Sequence, residues 1–157
     1  MSIGADFAVL FMRDLARLAR QLEAIDDAHL WQTVPGVTNS AGTLMLHLGG
    51  NLRDFIGRQI GGVAYTRDRE REFSATNVPR AELTAEIARL GTLIPSVLEG
   101  TADARWTEPF PTNVFGTSMT HQRFVLHLYG HLNYHLGQID YLRRVLSGEG
   151  ALPAPPK

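Results

Sequence analysis

The chain contains no cysteine, which excludes disulfides, thiolate metal sites and a cysteine nucleophile. A metal site in such a chain must use the remaining nitrogen and oxygen donors, His, Asp and Glu. An excess of either charge is lacking too: 15 Lys and Arg stand against 16 Asp and Glu, a net charge of −1. There is no general electrostatic pull toward nucleic acid or an anionic membrane, so neither is expected as a partner. No apolar run approaches the ~20 residues that a membrane span requires. The first residues lack a basic stretch followed by an apolar segment and a small-residue cleavage site, so a cytoplasmic location is expected. No internal repeat is evident.

What the sequence does have is helical periodicity. Its 157 residues suit one domain with one continuous core. Four stretches repeat apolar residues at steps of four and three, the spacing that keeps one helix face against a partner. Residues 5–25 place Phe11, Leu15, Leu18, Leu22 and Ile25 on one stripe. Residues 40–60 carry Met45, Leu48, Leu52, Phe55 and Gln59, with Ser40 as N-cap and Gly61-Gly62 as the stop. Residues 80–99 carry Leu83, Ile87, Leu90, Ile94 and Val97 between Pro79 and Gly100, with Pro95 expected to kink the last turn. Residues 118–146 form the fourth helix, ended by Gly148. The fold expected is all-α, a four-helix bundle with long connecting loops at residues 26–39, 61–78 and 101–117. The last loop holds Trp106, Phe110 and Phe115 and is expected to pack over one end of the bundle. Residues 1–147 form the domain, and 148–157 a proline-rich, non-helical tail.

The fourth helix departs from a greasy seam. Continued from Phe124, the stripe reads Phe124, Leu128, His131, His135, Gln138, Leu142 and Val145. Its middle is polar, and an unpartnered polar group inside a bundle costs roughly 1–3 kcal/mol. Histidines four residues apart share a helix face and can converge on one divalent ion. A pair of this kind is also compatible with a purely structural role. His47, on the second helix near its seam, is the candidate third ligand. His127 falls at the flank of the stripe and reads as a boundary residue, whereas His121 and His29 read as surface or capping residues.

The stretch Ser40-Ala-Gly-Thr-Leu-Met-Leu-His47-Leu-Gly-Gly-Asn51-Leu resembles the second-helix motif of the DinB/YfiT-like proteins. His127-Leu-Tyr-Gly-His131-Leu-Asn-Tyr-His135-Leu-Gly137-Gln138-Ile resembles their last-helix motif, and the charged run Arg67–Phe73 is similar to theirs as well. The resemblance implies an antiparallel bundle with a long crossover connection. It also implies one divalent metal ion held by His47, His131 and His135, homodimers, and thiol S-transferase or isomerase activity with a low-molecular-weight thiol.

Three readings follow. One is a metal-dependent transferase or hydrolase acting on a small molecule, with zinc or nickel favoured and manganese or iron also admissible. Another is a non-catalytic, stress-related bundle with a structural or sensing ion, and a third is a metal-free interaction module. Gln138 and Asn51 lie within about a turn of a ligand and are candidates to orient a ring or a bound water. Tyr134 and Tyr141 are candidate pocket residues. The run holding Arg67, Arg69 and Arg71 alternates in sign, as solvated loops do, and no catalytic residue is expected there.

Overall fold

The computed structural model describes residues 2–114 and 116–153. Phe115 and the last four residues of the tail therefore lie outside the described residues. The described part is helical, with one isolated bridge between Pro109 and Thr120.

Helix α1 (Ile3–Ala24) is capped by Ser2 and buries Phe11, Leu15, Leu18 and Leu22, as the spacing predicts. A short helix, α2 (Asp27–Leu30), interrupts the first connection and buries Leu30. Helix α3 (Ala41–Leu52) begins where Ser40 Oγ accepts from the Thr43 N–H at 3.1 Å. Every residue of α3 is buried, so it is a central helix rather than an amphipathic surface one. Beyond it the chain does not stay α-helical to residue 60, as expected, but widens into a π-helix (Arg53–Ile60). There the buried Asp54 accepts from Arg58 at 2.6 Å and from Gln59 at 3.1 Å. The second of these is an i,i+5 pair, which matches the wider turn.

A further helix, α4 (Arg69–Ser74), lies in the connection expected to be a loop. Helix α5 (Arg80–Gly100) runs through Pro95 and buries Leu83, Ile87, Leu90 and Ile94, with Leu98 rather than Val97 completing the stripe. A 3₁₀ turn (Asp103–Thr107) precedes α6 (His121–Ser147), which ends on Gly148 at φ 72°, a left-handed cap suited to glycine. Trp106 and Phe110 are buried, and Phe110 stacks on Phe124 with centroids 4.1 Å apart, so this segment closes one end of the bundle.

Helices α1 and α3 occupy one diagonal of the bundle, and each packs against both α5 and α6. Arg80 reaches the carbonyls of Leu22 and Ile25 while Gly4 lies against Leu98, so α1 and α5 are antiparallel. Asp14 with Tyr129, and Gln21 with Asp140, make α1 and α6 parallel. Phe55 against Phe124 and His47 against His131 make α3 and α6 antiparallel. Gly49 beside Glu86 and Gly57 beside Leu93 make α3 and α5 parallel. The long helices therefore run up, down, down, up. Two parallel neighbours require a connection that returns along the bundle, and residues 61–79 with α4 are that connection.

Candidate metal centre

His47 is delivered by α3, and His131 and His135 by successive turns of α6. Their ring nitrogens converge: His131 Nε2 lies 3.2 Å from His47 Nε2 and 3.0 Å from His135 Nε2. One donor atom from each of the three lies within 4.8 Å of the others, so together they could hold a metal ion. The outer nitrogens of two rings are engaged. His47 Nδ1 donates to Glu72 Oε2 at 2.9 Å, and His135 Nδ1 donates to Gln138 Oε1 at 2.7 Å.

Those partners decide what the centre can do. An ionised carboxylate and an amide oxygen only accept, so His47 and His135 each hold a proton on Nδ1, and the neutral form of each ring presents its lone pair at Nε2. The proton of a third imidazole can satisfy only one of them, whereas an ion satisfies all three. Imidazole nitrogens about 2.0–2.1 Å from one ion stand roughly 2.9 Å apart at right angles and about 3.4 Å apart at the tetrahedral angle. The observed 3.0 and 3.2 Å fall inside that range. The residues fit the group.

For His131 and His135 burial favours the neutral ring, the form that binds metal. Burial pushes His131 down to about 3, with His135 and His47 adding to the effect. Burial also lowers His135, against the hydrogen bond to Gln138, which raises it. Burial opposes the charge on Glu72, but hydrogen bonds from Arg67 and His47 outweigh it and hold the carboxyl below its usual range. Arg67 clasps Glu72 with Nε on Oε1 at 2.7 Å and a terminal nitrogen on Oε2 at 2.8 Å. Phe73 covers the His47 ring from 4.7 Å.

The sequence matches the DinB superfamily across residues 10–139. The chain belongs to the DinB superfamily. A DinB-like protein from Bacillus subtilis is similar in structure, with a TM-score of 0.69 at 18% identity, covering 94% of this chain and 95% of that one. A DinB-like protein from Bacillus cereus superposes with a TM-score of 0.70 at 17% identity, covering 96% and 95%. At this identity the two likenesses bear on the fold alone. No curated protein matches the chain.

Within this DinB fold several positions differ from what periodicity suggests. Helix α6 is rotated relative to the expected seam: Leu128, Leu132, Leu136 and Ile139 face the core, and Val145 is 65% exposed. His131, His135 and Gln138 are half-buried at the edge of that stripe, where a ligand can reach them. His47, expected near a seam edge, is buried at 7% exposure because all of α3 is interior. His121 is not on the surface but buried at the start of α6, its Nδ1 donating to the Glu108 carbonyl. His127 is exposed and outside the triad, its ring 6.4 Å from that of His131. Tyr134 is exposed beside the His135 ring. Tyr141, with Val37, Leu44, Gln138 and Leu142, lines a mainly apolar cleft of about 400 Å³.

Glu72 is the functional residue that sequence reasoning missed. It stands in the alternating charged run, which was expected to be a solvated loop, yet it is 5% exposed. The one available signal was its two-residue offset from Glu70, which puts it on a different side of a short helix beside Phe73.

Proposed function

We propose that this DinB superfamily member is a metal-dependent small-molecule transferase or hydrolase, with one divalent ion held by His47, His131 and His135. In the transferase case a low-molecular-weight thiol is the co-substrate. The observation that carries the reading is the convergence of three Nε2 atoms, two of them with their protons committed elsewhere. Three imidazole donors favour zinc or nickel and admit manganese or iron.

A bound divalent ion supplies Lewis acidity, lowering the pKa of a coordinated water or thiol and polarising a carbonyl. The chain's own groups supply the rest. Glu72 holds the His47 ring in register and, in turn, is held by Arg67. Gln138 does the same for His135 and also borders the apolar cleft, which offers room for the body of a substrate. Three protein ligands, none of them charged, preserve the ion's full charge and its capacity for further ligands, as in catalytic rather than closed sites. With no cysteine in the chain, any thiol must come with the substrate.

Elemental analysis of untagged, metal-replete protein is expected to find about one ion per chain, and its absence would refute the reading. The visible spectrum of the cobalt-loaded protein should shift when small thiols or carboxylates are added. A spectrum indifferent to both would make the ion structural and defeat the enzymatic proposal.

A further inference from the structure

The centre has an asymmetry. His47 and His135 each place Nδ1 on an acceptor, whereas His131 Nδ1 is buried and has no hydrogen-bond partner among the described residues. Histidines that ligate metals nearly always donate the second ring N–H to a carboxylate, carbonyl or water, which fixes the tautomer and orientation of the ring. A buried acceptor with the same deficit lies one helical turn beyond His47 on α3. Asn51 Oδ1 has no partner among the described residues, and its side chain is 7% exposed.

Helix geometry brings the two together. Asn51 is one turn beyond His47 on α3, between the rung formed by His47 and His131 and the rung formed by Phe55 and Phe124. Side chains on an α-helix lean toward the helix N-terminus. Asn51 therefore leans back toward the His47–His131 rung. On antiparallel α6, His131 leans toward residues 127 and 128, which is toward Asn51. One has a proton to donate when Nε2 is a lone pair, and the other has a carbonyl oxygen to receive it.

We propose that Asn51 is the positioning residue of His131, its Oδ1 accepting from Nδ1–H through one side-chain rotation or one shared water. The inference rests on the metal-centre reading and completes it: each ligand ring then has its own acceptor, Glu72, Asn51 and Gln138 in turn. A water enclosed by two polar groups of this kind is a normal constituent of a protein interior.

The test uses nitrogen–proton correlation spectra of the histidine rings in the zinc-loaded full chain, together with zinc affinity from competition with a chromophoric chelator. In the wild type, the His131 Nδ1–H signal is expected downfield and slow to exchange with water, as for a hydrogen-bonded proton. Asn51→Leu should speed that exchange, leave the Nδ1–H signals of His47 and His135 unchanged, and weaken zinc binding by about 10–100-fold. Asn51→Asp, which keeps the acceptor, should return affinity to within a few-fold of wild type. A fast-exchanging His131 Nδ1–H in the wild type overturns the proposal, as does an Asn51→Leu protein with unchanged exchange and affinity. If the wild type takes up no zinc, the metal reading fails and the pairing with it; zinc uptake with a fast-exchanging His131 Nδ1–H overturns the pairing alone. If Asn51→Leu does not fold, the wild-type signal and the Asn51→Asp affinity decide it.

Discussion

Glu72 acts on the centre only through His47, so its contribution separates from that of a ligand. Replacing His47 with Ala removes a donor atom and should abolish tight binding of one ion per chain, read by elemental analysis after gel filtration. Glu72→Gln keeps a neutral acceptor for His47 but leaves Arg67 without its buried anion. Zinc affinity should fall by about 10–100-fold, with the 1:1 stoichiometry intact. A loss of stoichiometry in place of affinity would mean that Glu72 itself ligates. Gly50 makes the same point from the other side. A Cβ there would meet the Glu72 carboxylate, which is pinned between Arg67 and His47 and cannot yield freely. Gly50→Ala should therefore weaken zinc binding as Glu72→Gln does, and also lower thermal stability.

At the scale of elements, the two helices that carry the histidine triad are secured by local chemistry at their starts. Ser40 caps α3 through the Thr43 N–H and also pairs with the Thr43 hydroxyl at 2.9 Å. Ser40→Ala should cost about 1 kcal/mol, a fall in melting midpoint of roughly 2–4 °C for a chain of this size. Metal affinity should stay near wild type, because His47 lies well inside the helix. Equal losses of affinity and stability would show instead that the cap governs the position of the His47 ring. The aromatic segment before α6 answers to packing. Phe110 is sandwiched near Phe124, Phe55 and His121, and Phe110→Ala should cost about 3–5 kcal/mol in denaturant unfolding.

At the scale of the whole molecule, proton linkage ties the centre to stability. The ordinary value for a histidine is 6.5, and His131 is held at about 3 in the fold. Between those values the unfolded chain binds the proton and the folded chain does not, so unfolding takes up protons. The stability contributed by the neutral ring is fully present above about 6.5 and is lost as pH falls toward 3. His135, shifted the same way by burial, adds to the slope. The metal-free protein should therefore lose melting temperature steadily as pH is lowered through this window. Replacing His131 with a non-titrating residue should flatten the profile; an unchanged slope would place the linkage elsewhere. Zinc at 100 times its dissociation constant should add roughly 2.7 kcal/mol, and the gain should shrink as protons compete for the rings.

The sequence by itself determined the four long helices, the Ser40 and Gly148 caps, and the one-turn spacing of His131 and His135. These are local properties, set by side-chain periodicity and by hydrogen bonds between residues three or four apart. Its lack of cysteine also determined that any metal centre would be built on nitrogen and oxygen donors. The rotation of α6 was not legible, because Leu132 and Leu136 stand next to His131 and His135 and offer an equally regular stripe. Only packing against α1 and α3 selects between the two. Glu72 was beyond local reading for a related reason: 25 residues separate it from His47. The parallel placement of α3 and α5 forces the connecting chain back along the bundle and past the histidines. Tertiary structure thereby turned a stretch that reads as a solvated charge run into the support of the histidine cluster.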